Sequence, residues 1–420
     1  MSRRTALALV AAACVLPRLG ILLYERGSIL AAFTEKSDDF AQTFVASGTF
    51  GFIPGHPSAW TQPLYAFFLI PIYWIFGRTW WAVGGAQILV ALGTALLVYA
   101  IGHRFVSERA GVLAAVVATL NPYLVWHDVH LNREILDQLL GAALVLLTLL
   151  CAERRSPRLA AALGLVLGLA ILSNTRLIFL PIVVCAFLLW RARAWRPVVV
   201  ALVVCALPLA AWAGRNASSV GCFTLATDTK ALWKANNANT YGTLAAGGWI
   251  DDVPNYPNAP QTPEQAYSIY LVYHRVVPVD ECAQMRLYRR EALAFVADHP
   301  GEKAKLAGQA ARMLWDPRSL KTIGREGKSG FADRARTWIQ PLYEIPLYLL
   351  ALAGAFLLPR RMAWLIVFLL AYQTVVAMGF AGTTRYRVPW DFALALAAAP
   401  ALIALAERVV AVGRTRLSTG

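Results

Sequence analysis

The apolar stretch "TQPLYAFFLIPIYWIFG", residues 61–77, decides how the chain is threaded through a membrane. It contains Pro63 and Pro71, and it is shorter than the roughly 20 residues that a spanning helix needs. If it crossed the bilayer, the basic loops "HRFVSER" (103–109) and "RARAWR" (191–196) would lie on opposite sides. If it lies in the interface, these loops share one side, as the positive-inside rule expects. We therefore interpret residues 61–77 as non-spanning.

The composition around this stretch is that of a polytopic membrane protein. Of the 420 residues, 58% are hydrophobic and only 15% are charged, and the mean hydropathy is +0.53. That is more apolar surface than one soluble core requires. The apolar runs predict ten spanning helices, at about 5–23, 80–101, 110–126, 135–152, 159–173, 177–190, 197–213, 338–358, 362–380 and 388–409.

The net charge of +15 does not indicate nucleic acid binding, because the arginines occupy short loops on one predicted side. We predict that this side is the cytoplasm of a bacterium and that the chain lies in the inner membrane. The arginines concerned are Arg3, Arg4, Arg104, Arg109, Arg154, Arg155, Arg158, Arg191, Arg193, Arg196, Arg360, Arg361, Arg408, Arg414 and Arg416.

The same threading divides the chain into three parts. Residues 1–213 form an N-terminal transmembrane module whose outer loops, 24–79 and 127–134, are predicted to be catalytic. Residues 338–420 form a C-terminal transmembrane module. Residues 214–337 are predicted to form a small, mainly helical lobe outside the cell, in which Cys222 and Cys282 are candidates for a disulfide.

Carboxylates are placed at the predicted outer surface in two of these loops. Asp38 and Asp39 follow the first span and precede the interfacial stretch. Glu134 lies where a helix returns to the membrane. A surface acid is often only a solvated charge, and an acid at a helix start often only caps it. Acids gathered on one face of a membrane are better explained as parts of a site.

Two arginines in "GTTRYRVP" go against the charge bias, because Arg385 and Arg387 lie just before the last span on the outer side. An anion is expected to compensate them. A guanidinium binds phosphate through two hydrogen bonds and keeps its charge at physiological pH. We therefore predict that the ligand is a lipid phosphate.

With these motifs the chain resembles the GT-C glycosyltransferases, in particular bacterial relatives of the protein O-mannosyltransferases and of aminoarabinose transferase. The resemblance begins with Asp38-Asp39 and "QPLYAFFLIPIYWIFG". It continues through "LGTALLVYAIGHRFVSERAGVLAAVVATLNP", "LNREILDQLL" and "AWAGRNASSVGCFTLATDTKALWKANN" to "RYRVPWDFALALAAAPAL". It implies a GT-C-like bundle of about ten transmembrane helices, with interfacial helices in the first outer loop.

The resemblance also implies roles for residues. Asp38 or Asp39 is similar to the first-loop aspartate of such enzymes and Glu134 to a second-loop acid, while Arg385 and Tyr386 match a late Arg-Tyr pair. Relatives often have a cation where this chain has Gln62, so Arg176 or the late arginines are expected to substitute for it. Trp390 and Asp391 also depart from the family pattern. Four further residues, His56, Gln62, Tyr65 and His130, are predicted to line the substrate site.

The implied reaction moves a sugar from a polyprenyl-phosphate donor to an acceptor hydroxyl on a lipid, a glycan or a protein. One aspartate acts as the base, with Asp38 the first assignment and Asp39 the competing one. Because the leaving phosphate is already charged, it needs cations and no general acid, a role given to Arg385 and Arg387. Direct displacement would invert the anomeric carbon, and Glu134 would orient a substrate.

Alternatives remain open at this point. No cofactor is expected, although His127, His130 and Glu134 lie at i, i+3 and i+7, a spacing that leaves a divalent cation as an alternative. A transporter or flippase of a lipid-linked glycan is the second functional class, but it would need polar residues at mid-membrane positions, which are scarce here. A non-catalytic partner in envelope assembly is the third.

Overall fold

The computed structural model describes residues 2–30, 36–193, 195–318 and 335–418, and every regular element in this part of the chain is helical. The N-terminal module contains ten helices. They are α1 (Arg3–Tyr24), α2 (Lys36–Ser47), α3 (Pro63–Phe76), α4 (Trp80–Phe105), α5 (Glu108–Thr119), α6 (Pro122–His127), α7 (Glu134–Arg154), α8 (Pro157–Ser173), α9 (Leu180–Ala192) and α10 (Trp195–Val220).

Nine more α-helices follow in the described part of the chain. Those of the lobe are α11 (Lys230–Lys234), α12 (Thr240–Ala245), α13 (Pro263–Tyr273), α14 (Glu281–Asp298) and α15 (Pro300–Trp315). The C-terminal module contains α16 (Gln340–Ala355), α17 (Arg360–Gly379), the single turn α18 (Thr384–Arg387) and α19 (Asp391–Ser418). The expectation of an all-helical, multi-pass membrane protein is confirmed.

Helix lengths divide the ten predicted spans, whose number stays a prediction, into two groups. Nine of them coincide with one helix each, and six helices in the described ranges are long and apolar enough to cross a membrane by length and composition. These six are α1, α4, α7, α10, α17 and the segment Thr384–Ala411, which includes α19. The predicted span 110–126 is broken into α5 and α6, because proline at 122 disfavours a helical conformation at Asn121.

The stretch that decided the threading forms α3, a helix of 14 residues. One face is buried against α2, α4 and α8, with Tyr65, Leu69 and Tyr73 inside. Near its end, Trp74 and Ile75 are exposed. A short helix with one packed face and one exposed apolar face is compatible with the membrane interface, and the interfacial position of residues 61–77 stays a prediction.

The helices are arranged so that the loops predicted to lie outside meet at one end of the bundle. Gln62 in the first loop donates to Thr175 between α8 and α9, at 3.0 Å. Arg176 in that same turn donates to the carbonyl of Ala381 before α18, at 3.0 Å. The fold thereby brings distant parts of the chain into one region.

The lobe is attached to this end by covalent and packing contacts. Helix α10 continues to Val220, so the lobe begins seven residues later than the predicted boundary at 214. Cys222, just after α10, forms a disulfide with Cys282 in the first turn of α14. At the other end of the lobe, α15 packs against α17. Residues 319–334 of the predicted lobe lie outside the described part of the chain.

Candidate active site

The structure pairs Glu134 with Arg385, which are 251 positions apart in the sequence. The Nε atom of Arg385 lies 2.6 Å from Oε1 of Glu134, and its Nη2 atom lies 3.1 Å from Oε2. Glu134 is 2% exposed, whereas the Arg385 side chain is 29% exposed. The acid is therefore enclosed, and the guanidinium that it holds reaches the surface of the site.

Local backbone contacts fix the positions of Glu134 and of the segment that carries Arg385. Glu134 is the first residue of α7, and its N–H group donates to the side chain of Asn132 at 3.2 Å. On the other side, Gly382 lies directly against the α15 backbone at Ala310, where a Cβ atom would overlap the carbonyl oxygen. Glycine at 382 thus allows the segment that carries Arg385 to lie against the lobe.

A second arginine, Arg176, lies beside this pair. Its guanidinium carbon is 3.6 Å from the centroid of the Tyr386 ring, a cation–π contact. The hydroxyl of Tyr372 donates to the Arg176 carbonyl at 2.7 Å and holds the turn in place. In the part of the chain that the structure describes, no carboxylate forms an ion pair with Arg176. Burial lowers the pKa of this guanidinium, so an anion placed against it would offset an unfavourable desolvation.

A third arginine was not predicted. Arg133 donates from Nη1 to Oε1 of Gln62 at 2.5 Å, and its Nε atom lies 3.7 Å from Oε1 of Glu134. Gln62, the residue that replaces the cation of relatives, therefore binds a cation supplied by another loop. The signal was present in "LNREILDQLL", because Arg133 directly precedes the predicted acid.

The charge of this cluster favours an anion. It contains three guanidinium groups, on Arg133, Arg176 and Arg385, and two carboxylates. One of these, Asp137, lies one turn after Glu134 and is occupied by hydrogen bonds from Ser173 and Asn174, both at 2.9 Å. Three fixed cations facing two acids leave a positive site that suits one phosphate.

Asp38 forms its own ion pair in the first turn of α2. Arg78, which follows α3, donates to both carboxylate oxygens at 2.7–3.1 Å. The hydroxyl of Tyr73 donates to Oδ1 at 2.5 Å. Asp38 is 4% exposed, so it fastens α2 to the end of α3. The hydrogen bonds with Asp38 raise the pKa of Arg78.

Asp39, the next residue, is half-buried. Burial first, and then the charges of Asp39 and Asp38, raise the pKa of Tyr267 in α13. The Tyr267 ring stacks on Phe52, with centroids 5.2 Å apart. The two first-loop acids therefore lie between α3 and the lobe.

The prediction that Arg387 binds the donor phosphate needs correction. Arg387 is 1% exposed, and its Nη2 atom lies 2.7 Å from Glu344 while its Nε atom lies 3.2 Å from Asp391. It also donates to the carbonyls of Leu314 and Asp316. This arginine ties α16, α19 and the lobe together, because two buried acids compensate its charge.

Of the four residues predicted to line the substrate site, two are buried and two are not. Tyr65 is 1% exposed and donates to Gln87 at 2.5 Å, and His130 is 1% exposed with Nδ1 2.8 Å from the carbonyl of Trp126. Both are packing residues and do not line an open surface. Gln62 joins the arginine cluster, whereas His56 is exposed in the first loop.

The alternative metal site receives no support from the geometry. The ring of His127 stacks on Tyr123 at 3.8 Å, and that of His130 stacks on Trp126 at 5.6 Å. Within the described ranges, the structure places no group of three His, Cys, Asp or Glu side chains together in a way that could hold a metal ion.

Comparison with known proteins gives a partial sequence match and a fold. Residues 56–213 match the family described as dolichyl-phosphate-mannose-protein mannosyltransferase. This region contains Gln62, Arg133, Glu134 and Arg176, but not the first-loop aspartates or Arg385. No curated protein matches the chain.

Several solved structures are similar. The oligosaccharyltransferase of Archaeoglobus fulgidus in its apo form shares 13% identity with a TM-score of 0.56, over 100% of this chain and 52% of its own. The AglB oligosaccharyltransferase of the same organism, in complex with an inhibitory peptide and a dolichol-phosphate, shares 12% identity with a TM-score of 0.55, over 98% and 52%. ArnT from Cupriavidus metallidurans bound to undecaprenyl phosphate shares 17% identity with a TM-score of 0.43, over 93% and 77%.

The chain thus spans about half the length of the oligosaccharyltransferase that it matches. At these identities the similarity establishes the fold, and the sequence match adds the family pattern for residues 56–213. The resemblance predicted from the sequence is confirmed to this extent: the chain has the fold of the Archaeoglobus fulgidus oligosaccharyltransferase, and its residues 56–213 match the dolichyl-phosphate-mannose-protein mannosyltransferase family.

Proposed function

We propose that this protein transfers a sugar from a polyprenyl-phosphate donor to an acceptor hydroxyl, on the outer face of a bacterial inner membrane. The observation that carries the proposal is the position of Arg176. Its half-buried guanidinium lies beside Arg133 and Arg385 at one end of a membrane bundle. Its contacts in the described chain include an aromatic ring and a carbonyl but no carboxylate. A lipid phosphate supplies the anion that this cluster is built to bind.

The three cations suit the chemistry of the leaving group. A polyprenyl-phosphate sugar carries one negative charge, and the phosphate gains a second when the bond to the anomeric carbon breaks. Fixed guanidinium groups stabilise that developing charge without reorganising. The dolichol-phosphate bound by AglB, which shares the fold, is a ligand of the same chemical class.

Of the two aspartates, we assign the base to Asp39. Both oxygens of Asp38 accept hydrogen bonds from Arg78, so its lone pairs are engaged in holding that guanidinium. Asp38 would then position α2, and through it Asp39, which is half-buried beside the lobe. A base at this position would take the proton of the acceptor hydroxyl as that oxygen attacks the anomeric carbon.

Glu134 has a positioning role in this scheme. It holds the Arg385 guanidinium through both oxygens, at 2.6 and 3.1 Å, and so fixes the direction in which the remaining N–H groups face. Because attack and departure occur on opposite sides of the anomeric carbon, one displacement inverts its configuration. The acceptor is a hydroxyl of a lipid, a glycan or a protein.

The experiment separates binding from chemistry. Arg176→Gln should weaken binding of undecaprenyl phosphate to the purified protein and lower transfer by about 10²–10³-fold, because one phosphate ligand is lost. Asp39→Asn should leave that binding unchanged and lower transfer by about 10²–10⁴-fold. Transfer is measured by mass spectrometry of envelope glycans in a strain that lacks the gene and expresses each variant.

Matched controls are available on the exposed surface of the lobe. Arg290→Gln and Asp298→Asn remove the same charges at exposed positions of α14. Both should bind and transfer as the wild type does. Normal transfer by a folded Asp39→Asn protein would rule out the proposed base.

A further inference from the structure

A second polar cluster joins the start of α2 to the lobe. The Lys36 Nζ atom lies 2.7 Å from Oδ2 of Asp228 and 3.2 Å from Oε1 of Glu264. Glu264 also pairs with Lys230, at 3.4 Å. These four groups carry two positive and two negative charges, so the cluster has no net charge.

The first loop passes through this cluster. The Lys36 ammonium lies 5.5 Å from the centroid of the Trp60 ring. Next to Trp60, the carbonyl of Ala59 accepts from the Thr227 N–H group at 2.8 Å. The carboxylate of Glu281 accepts from the Ala59 N–H group at 3.0 Å and from the Thr227 hydroxyl at 2.7 Å. The loop and the lobe are thus held in a fixed register.

Four buried polar atoms in this cluster lack a hydrogen-bond partner among the described residues. They are the Ser37 hydroxyl, the Trp60 indole N–H, the Thr61 hydroxyl and the Oδ1 atom of Asp228. Ser37 and Trp60 are 0% exposed, and Thr61 is 2% exposed. Buried polar groups are satisfied in nearly all native proteins. Here four unsatisfied atoms belong to residues that contact Lys36 or directly follow Lys36 or Trp60 in the chain, and they point to a hydrogen-bonding ligand.

We propose that Ser37, Trp60, Thr61 and Asp228 form the subsite for the hydroxyl groups of the donor's sugar. This inference rests on the proposed function. The set offers an N–H donor, a carboxylate acceptor and two hydroxyls that do both, which is the pairing that sugar hydroxyls require. A neutral cluster favours a neutral polyol over an anion.

The position agrees with the proposed path of the donor. Thr61 is followed by Gln62, which binds Arg133 of the phosphate cluster at 2.5 Å. Burial would raise the pKa of Asp228, but attraction to Lys36 first, and to Arg133 as well, lowers it. On the other side, Ser37 directly precedes the first-loop acids. The subsite therefore lies between the proposed base and the phosphate, where the sugar of a bound donor must be.

The test compares a bare lipid phosphate with sugar-bearing ones. Affinities of the purified full chain are measured for undecaprenyl phosphate and for undecaprenyl phosphate carrying mannose, glucose or arabinose. Wild-type protein should bind at least one sugar-bearing lipid more tightly than the bare lipid. Thr61→Val should weaken that binding by about 3- to 10-fold and leave the bare lipid unaffected, because one neutral hydrogen bond is lost.

The controls separate this effect from a change in folding. Thr61→Ser keeps the hydroxyl and should restore the affinity. Thr148→Val removes a hydroxyl that is equally buried and also without a partner in the described chain, but lies within α7 away from the cluster, and it should change neither affinity. Trp60→Phe provides a second variant with the loss expected of Thr61→Val.

The outcomes distinguish the two proposals. If the bare lipid binds but the sugar adds no affinity, or if Thr61→Val and Trp60→Phe bind the sugar-bearing lipid as the wild type does, the four atoms bind water only and the subsite is refuted. If the wild type binds none of the lipids, the proposed function fails, and the subsite with it.

Discussion

Arg385 and Arg387 show how one turn of helix can give two arginines different roles. In a helix, residues two apart project to nearly opposite sides, because each residue turns the chain by about 100°. Arg385 therefore meets Glu134 at the site, while Arg387 faces Glu344 and Asp391 inside the bundle. The same charge is proposed to bind a phosphate in one case and fastens helices in the other.

A substitution separates these roles. Arg387→Met should destabilise the protein by roughly 3–5 kcal/mol, because Glu344 and Asp391 would remain buried without their counter-ion. The measurement is thermal unfolding of the purified protein in detergent. Arg385→Met should destabilise the protein less, because Arg133 lies 3.7 Å from Glu134 and remains as a counter-ion, but it should lose affinity for undecaprenyl phosphate. An Arg387→Met protein as stable as the wild type would contradict the structural role of that residue.

The sequence held part of the signal for this difference. Asp391 lies four residues after Arg387, the spacing at which helical side chains pair. Its presence where relatives have apolar residues was visible as a departure from the family. Glu344 was not foreseeable, because it belongs to another helix and contacts Arg387 only through packing of the bundle.

At the scale of elements, the segment 380–383 depends on close packing against α15. A Cβ atom at Gly382 would overlap the backbone of Ala310, so Gly382→Ala should push this segment away from the lobe and move Arg385. We expect transfer to fall at least tenfold, since a displacement of about 1 Å can cost far more. Gly379→Ala is the matched control, because nothing lies within 4 Å of its Cβ position. Equal activity of both variants would show that the contact is not required.

The disulfide connects the end of α10 to the start of α14 across a sequence separation of 60 residues. Closing a loop of that size is worth on the order of 4 kcal/mol in the chain-entropy account. Cys222→Ser with Cys282→Ser should therefore increase hydrogen exchange in α14 and in residues 222–234. Cys205→Ser, at a buried free cysteine in α10, should not. Unchanged exchange in the double variant would mean that packing alone holds the lobe.

The elements themselves were largely predictable, since an apolar run that must satisfy its backbone in lipid forms a helix. Their ends were less so. The predicted span 110–126 is interrupted at Asn121, whose side chain accepts from the Tyr123 N–H group at 3.0 Å and starts a new helix. Asparagine before proline is a helix-start signal that the apolar pattern concealed.

At the scale of the molecule, the predicted path of the chain through the membrane explains which long-range contacts could be foreseen. Glu134 and Arg385 both lie at the start of apolar segments on one predicted face, so a meeting between them could be expected despite 251 intervening positions. Lys36 and Asp228 are separated by 192 positions. Asp228 belongs to the lobe, which no membrane rule places, so this contact required the three-dimensional structure.

The threading can be tested by the side on which single cysteines react. The background is a variant in which the four free cysteines, all buried, are replaced by alanine. Single cysteines are then introduced at two exposed positions, His56→Cys before α3 and Tyr241→Cys in the lobe. Both should react with a membrane-impermeant maleimide on intact cells. Arg158→Cys and Arg360→Cys, at the opposite ends of their helices, should react only after permeabilisation.

Comparing the membrane sides of residues 56 and 241 shows whether α3 crosses the bilayer. If α3 stays in the interface and the predicted threading holds, six segments cross between these residues: α4, α5 with α6, α7, α8, α9 and α10. Six is an even number, so both residues would face the same side. A crossing by α3 would make the number odd and put them on opposite sides. Reaction of residue 241 but not residue 56 on intact cells would then place Asp38 and Asp39 across the membrane from Glu134, and no single cleft could contain the base and the phosphate.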